Sequence, residues 1–304
     1  MQRSFLWQHI SVLHLCQNMR LNTNVEAEAN FAKWQLKVGH GKHTNEASNV
    51  SLPDQFKCRE NTVSSLIDAI YPNIDTPNHS NQYFLERIIL SFTNKNVNAL
   101  NKIVFNRFPG PSQTFHSTNF IPVSEQIEKD DSMLNYPVEH LNEINASSLP
   151  LAKLEVKVGC PVMILKNLNQ SREVCNGSRE ILTRYRSRIL EVRLITGQYA
   201  RETVFIPRVP NQPLDEENSF KFNRKQFPVR LCFAITINKS QGQSVKHVEL
   251  DLSSSVFTHG QFYVAVSRVT SVSNIKAIWS EEQKEAVTKN IVYSEMLLDP
   301  DQAN

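Results

Sequence analysis

Four short runs between Leu154 and Ile206 constrain the fold of this chain more than any other feature: VMIL (162–165), REILTRY (179–185), RILEVRLI (188–195) and TVFI (203–206). They are too short for helices and rich in β-branched residues. Turn signals at Asn176-Gly177, Tyr185–Ser187 and Thr196-Gly197 separate them. This spacing predicts a small antiparallel β-barrel of about 50–60 residues, closed by Pro207, Pro210 and Pro213. The flanks read differently. Ile10 to Leu15 reads as a short strand, Glu26 to Leu36 as a loose helix, 39–62 as irregular and Val63 to Ile70 as a helix. After a Pro/Asn/His-rich loop at 72–82, Glu86 to Phe92 is a buried strand. Thr93-Asn94 then opens a helix carrying Val97, Leu100, Ile103 and Val104, with either residue able to cap it. Beyond Gln226, PVRLCFAITI (228–237), VELDL (248–252) and NIKAIWS (274–280) read as strands, and a helix opens at Gly260. The pattern is an α/β domain interrupted by a β-barrel, without internal repeats.

Charge is distributed unevenly. From Ser124 to Glu155 seven acids face two lysines, a balance of −5, whereas Arg172 to Arg208 holds eight arginines and four glutamates, a balance of +4. The net +3 of the whole chain therefore hides a basic block. Five scattered cysteines without a CxxC pair point to a reducing compartment rather than a disulfide or zinc framework. Nine histidines form no HExxH or Cys/His cluster. No apolar run reaches the roughly 20 residues that span a bilayer. The N-terminal stretch is too interrupted by Gln8, His9, Ser11 and His14 for a secretory signal. Glycine is scarce, eight residues in 304, against an ordinary share of about 7%. That leaves little material for a phosphate-cradling loop.

The strongest chemical constellation is Thr236-Ile-Asn238-Lys239-Ser240-Gln241-Gly242-Gln-Ser followed by Gln261-Phe-Tyr263-Val-Ala-Val-Ser267-Arg268. The first is a strand running into a turn dense in donors suited to phosphate oxygens, with Lys239 as a point charge. The second places an arginine on a helix, where a fixed guanidinium can stabilise charge developing in phosphoryl transfer. The same residues also read as a polar turn beside a surface arginine.

These segments carry a resemblance. FAITINKSQGQS (233–244) and GQFYVAVSRVTS (260–271) resemble motifs V and VI of superfamily-1 DNA helicases, in the form of the Pif-one/RecD-like group and particularly of Helitron transposon helicases. LHLCQNMR (13–20), ILSFTNKNVNALN (89–101), LEVKVGCPVMILKNLN (154–169) and CNGSR (175–179) resemble further family segments in the family's order. The resemblance implies a RecA-like second motor domain of the P-loop-NTPase type, a parallel sheet flanked by helices, interrupted by an SH3-like barrel. Motor segments would occupy 1–150 and 214–285, the barrel 151–213 and a tail 286–304. It further implies that Arg20 and Arg268 reach the γ-phosphate of ATP, with Gln241 and Gly242 at the same cleft. By the same carry-over Thr93 and Asn94 hold a DNA phosphate at a helix N-terminus. Thr236, Asn238, Lys239 and Ser240 link bound DNA to the nucleotide; Gln261 and Tyr263 match more loosely, Tyr263 reading equally as packing. Arg184, Arg186 and Arg188 would line the path of single-stranded DNA. They share one strand face if the strand runs through them, are rotated apart if it turns there, and read otherwise as a solvated basic face. Glu173 and Glu180 depart from the family's pattern of glycine and an apolar residue, and Glu180 would lower the local positive potential.

The family's ATP site also needs GxxxxGK[ST] and an acidic pair for Mg²⁺ from a first motor domain. The 304 residues contain no such motif. The nearest approximation, Leu36-Lys-Val-Gly39-His-Gly41-Lys42-His43, lacks the first glycine and the hydroxyl residue, and Asp215-Glu216-Glu217 is a loop. The expectation is therefore a second motor domain plus insertion of an ATP-dependent 5′→3′ DNA helicase, inactive by itself. ATP and Mg²⁺ would be shared with a missing N-terminal motor domain. Single-stranded DNA would be the partner, the chain monomeric and away from membranes, and the location the nucleus, with the mitochondrion as alternative. The competing readings are a non-catalytic single-stranded nucleic-acid-binding module and the remnant of a Helitron helicase.

Overall fold

The computed structural model describes residues 26–42, 48–120, 137–146, 149–213, 222–243, 245–283 and 285–297, with Phe5 and His9 as isolated positions. The expected strand at 10–15, Arg20, His43 and the acidic loop 215–217 lie outside the described residues. The chain packs as two units. The first gathers the described residues up to Pro72, Arg87–Val97 and those from Ile235 onward; the second gathers Asn73–Glu86 and Asn98–Ala234. Packing thus divides the chain elsewhere than the expected boundaries at 150 and 213. The second unit takes in much of what the sequence assigned to the motor.

In the first unit a four-stranded sheet has the order Ala234–Thr236, Arg87–Ser91, His247–Leu252, Ile275–Trp279. The last three strands run parallel, with Leu250 opposite Leu90 on one side and Ala277 on the other. Strands of a parallel sheet are covered on both faces, which is why ILSF and VELDL read as nearly unbroken apolar runs. Ile88, Ile89, Leu90, Val248 and Leu250 are fully buried. The helix Val63–Ile70 buries Leu66, Ile67 and Ile70, and Thr62 caps it by accepting the Ser65 N–H at 3.2 Å. The helix Glu26–Gly39 carries Glu26 and Glu28 in its first turn and Lys37 in its last, each sign suited to the helix dipole. Its Phe31 and Trp34 rings meet Phe56, and Trp34 also meets Phe262 edge-on. Leu36–Gly39 is thus the C-terminal end of a helix, with the carbonyls of Leu36, Lys37 and Val38 taken up by the N–H groups of His40, Lys42 and Gly41.

Residues 287–290 of the expected tail are built into the first unit. Val287–Lys289 pairs antiparallel with Asn49–Ser51, and Asn290 Nδ2 donates to Val38 O at 2.8 Å. Three-residue strands carry too little periodicity to be seen in sequence.

The second unit is antiparallel. Its largest sheet has the order Val229–Leu231, Pro161–Ile164, Arg179–Tyr185, Ile189–Leu194, Thr203–Pro207. The predicted turns stand at Gly177 and Gly197, with φ of 91° and 77°. Among the described pairings this sheet is open, with Val229–Leu231 and Thr203–Pro207 as its edges. Val209–Asn211, Asn223–Gln226 and Thr118–Phe120 form a three-stranded sheet, and Gln113–His116 pairs with Lys153–Val156. Arg224 is fully buried and holds the surrounding chain through carbonyls rather than carboxylates, donating to Leu141 O, Ile144 O at 3.0 Å and Pro150 O at 3.1 Å.

The run 228–237, expected as one strand, is two. Val229–Leu231 joins the antiparallel sheet and Ala234–Thr236 the parallel one. Between them Asn101 stands in for a neighbouring strand. Its Oδ1 accepts the N–H groups of Phe233 (2.9 Å) and Ala234 (3.0 Å), and its Nδ2 donates to Ala234 O (2.9 Å).

Candidate functional site

The strand Ala234–Thr236 ends in a 3₁₀ turn, Ile237–Ser240, and the chain then reverses through Gly242 at φ +81°. Asn238, Gln241 and Gly242 are exposed, whereas Thr236 and Lys239 are half-buried. Ser240 is buried, and its hydroxyl donates to Ile237 O at 2.7 Å. That hydroxyl therefore shapes the turn; the donors facing outward belong to its neighbours.

Gly260, with φ +68°, starts the short helix Gln261–Val266. Arg268 follows it, half-buried and held at each nitrogen. Nε donates to Val264 O (3.0 Å), Nη1 to Ser240 O (3.3 Å) and Nη2 to Ser267 Oγ (2.9 Å). The guanidinium is thus tied directly to the 237–240 turn. The helix is fixed from behind by Gln35, whose Nε2 donates to Val266 O (2.7 Å) and Val269 O (3.0 Å). Gln261 is buried, and its Oε1 accepts the Phe257 N–H. The Tyr263 ring lies against Gly39, where an added Cβ would come within 2.9 Å. Tyr263 packs.

Thr93 and Asn94 stand at the other predicted phosphate position. Asn94 begins the helix Asn94–Arg107, and Thr93 caps it by accepting the Asn96 N–H at 3.2 Å. The sequence left the cap open between these two; it is Thr93. Sequence reasoning missed what steadies this corner. Asp251, buried near the end of its strand, accepts from Ser91 Oγ (2.9 Å) and Asn96 Nδ2 (3.2 Å). Asn96 Nδ2 also reaches Ser254 Oγ at 2.9 Å. The available signal was an aspartate inside VELDL, a charge in an otherwise apolar parallel strand.

In the second unit Arg184, Arg186 and Arg188 are all exposed. They do not lie along one regular strand face. The register slips between Leu182 and Arg184, the strand ends at Tyr185, and the Arg186 N–H closes the hairpin onto Ile189 O at 2.8 Å. The bulge and turn break the two-residue alternation. Arg184 Nε stands 4.0 Å from Glu191 Oε2. Glu180 also needs correction as an electrostatic element. Its side chain is buried between Val162 and Leu194, its Oε2 accepts the Ile195 N–H, and burial pushes its pKa up to about 8. Near neutrality it is mostly protonated and subtracts little from the positive field.

A family model, DNA helicase Pif1, 2B domain, matches residues 139–185. The ATP-dependent DNA helicase PIF1 of Mus musculus is 34% identical over 128 residues, covering 41% of this chain and 19% of that protein. The Campylobacter jejuni ATP-dependent DNA helicase Pif1 is 27% identical over 195 residues, 62% of this chain and 41% of its own length. The chain spans less than half the length of these relatives. Among solved structures, a Bacteroides Pif1 helicase in complex with ADP-AlF3 and ssDNA superposes with a TM-score of 0.56 at 18% identity, over 93% of this chain and 54% of that one. Pif1 helicase from Candida albicans gives 0.53 at 21%, over 85% and 55%. At such identities the structures speak to the fold alone, a mixed α/β architecture with a parallel sheet.

Proposed function

We propose that this chain belongs with the C-terminal part of Pif1-like superfamily-1 helicases and supplies the second motor domain and 2B insertion of an ATP-dependent DNA helicase. The carrying observation is the hydrogen bond from Arg268 Nη1 to Ser240 O. It joins a positioned guanidinium to the turn that resembles the family's DNA-to-nucleotide link. A cation held on three sides keeps its position while negative charge builds on a phosphoryl group, and so needs little reorganisation. The exposed donors at Asn238, Gln241 and Gly242, with half-buried Lys239, suit phosphate oxygens. They fit one side of an ATP phosphate chain, and Arg20 would join Arg268 there. ATP supplies the phosphoryl group whose transfer drives movement; the residues of this chain hold and neutralise. Among the described residues no group of three or more His, Cys, Asp or Glu could hold a metal.

In this reading Thr93, Asn94, Thr236, Asn238 and Lys239 grip the DNA backbone in the first unit, and Arg184, Arg186 and Arg188 do so in the second. The open antiparallel sheet is the SH3-like element, and the helicase is monomeric, nuclear and 5′→3′ on DNA. Because the 304 residues contain no GxxxxGK[ST], the chain by itself is inactive toward ATP and duplex. Joined to a first motor domain it should show DNA-stimulated ATPase. Arg268→Ala should then lower kcat by about 10³-fold or more. DNA-stimulated hydrolysis by the purified chain alone, abolished by Arg268→Ala, would refute the division of labour.

The exposed arginines favour one second reading, a non-catalytic module for single-stranded nucleic acid. Tight, steeply salt-dependent binding by the isolated chain supports it. Negligible binding supports the helicase part alone.

A further inference from the structure

The outer face of the strands Ile189–Leu194 and Thr203–Pro207 carries more than arginines. Alternation sends Leu190, Val192, Val204 and Ile206 to the core and leaves Ile189, Glu191, Arg193, Thr203 and Phe205 on the opposite side. Phe205 is 65% exposed and Ile189 43% exposed. Register sets Arg184, Glu191 and Phe205 side by side across three strands. A depression of about 170 Å³ is lined there by Arg184, Tyr185, Arg186, Ile189, Glu191 and Phe205.

The charges around this apolar floor are unequal. Glu191 is engaged, with Arg184 at 4.0 Å and Thr183 Oγ1 donating to its Oε1 at 3.1 Å. Among the described residues Arg186 and Arg188 have no carboxylate partner within bridging distance. An aromatic face left in water costs free energy in the isolated chain. With Arg184 and Arg186 lining the same depression, it matches a ligand that alternates flat π-surfaces with negative charge. Unpaired nucleic acid has that chemistry; a duplex does not, because its bases have both faces covered.

We propose that Phe205, supported by Ile189, is a stacking platform for an unpaired nucleobase, with Arg184 and Arg186 holding the adjoining phosphates. This rests on the reading of the arginines as a DNA contact and adds recognition of bases to attraction for the backbone. It makes the surface selective for single strands rather than merely anionic polymers.

The test is fluorescence anisotropy of the purified chain with labelled oligothymidine and with an abasic strand of equal length and charge. Wild type should prefer oligothymidine by about five- to a hundred-fold, the range of one stacked base. Phe205→Ala should bring the two affinities together, and Phe205→Trp should retain the preference and add an indole signal quenched on binding. Thermal melting of both variants checks folding, which an exposed side chain should not disturb. If Phe205→Ala keeps the full preference while Arg184→Ala with Arg186→Ala weakens both strands, stacking is refuted and the backbone contact stands. Should neither variant alter either affinity, the underlying reading fails as well. A self-association lost in Phe205→Ala, with the base preference intact, would make the surface a protein interface and also overturn the proposal.

Discussion

Glu180 stands where two strands press apolar neighbours against it, and the protein meets that cost by keeping the carboxyl protonated. With an ordinary value of 4.5 and a folded value near 8, the folded state binds more protons than the unfolded one between those limits. Its favourable contribution is complete below about pH 4.5 and drains away as pH rises to about 8. Glu180→Gln preserves an acceptor for the Ile195 N–H without the titration. The difference in melting temperature between variant and wild type should therefore widen in the variant's favour from pH 5 to pH 8. A constant difference would place the charge in solvent. Glu173 carries a different penalty at the same end of the insertion. It adopts φ 61°, and its carboxylate lies where a side chain at Gly197 would have to go. Left-handed backbone costs an L-residue roughly 1–2 kcal/mol relative to glycine. Glu173→Gly is accordingly expected to raise stability by about 1 kcal/mol in urea unfolding, an unusual gain for a glycine substitution.

At the scale of elements, the switch at residues 232–234 is the most exposed to error. Three hydrogen bonds converge on Asn101, which is buried, so Asn101→Ala strands two donors and an acceptor of the Phe233–Ala234 backbone. Leaving such groups unpaired costs about 1–3 kcal/mol each before relaxation. A loss of about 3 kcal/mol in denaturant unfolding is expected; a loss below about 1 kcal/mol would show that water or backbone replaces the side chain. This position also marks how far sequence reaches. Val63–Ile70 and Arg179–Tyr185 fall where their apolar periods put them, because local burial alone decides them. The run 228–237 is apolar throughout and gives no sign of where it changes sheet. That choice is made by a side chain 132 residues away. The site divides in the same manner. The turn that carries Lys239, the helix before Arg268 and a cap at Thr93 or Asn94 were legible from residue type and turn position, whereas the carbonyl that holds Arg268 and the carboxylate of Asp251 behind Asn96 are tertiary contacts without local pattern.

Across the whole molecule the two units are interleaved in sequence, and the residues proposed to touch DNA are shared between them. Thr93, Asn94, Thr236, Asn238 and Lys239 belong to the first, the three arginines to the second. The basic block of 172–208 is smaller in effect than its composition. Arg179 is buried and donates to Phe84 O at 2.7 Å, and Arg208 donates to His116 O and lies over the Phe115 and Phe227 rings. These two hold the fold, which leaves six exposed arginines, three of them at the hairpin, able to meet phosphate. Each phosphate neutralised on a single strand contributes roughly 0.7 to the slope of log affinity against log salt. Removing Arg184, Arg186 and Arg188 together should therefore flatten that slope by about 2, while the triple variant keeps the wild-type melting temperature within a few degrees. A slope unchanged by the triple substitution would assign DNA attraction to residues other than the hairpin arginines. A fall in affinity with no change in slope would mean that the arginines act by packing, not by displacing counterions.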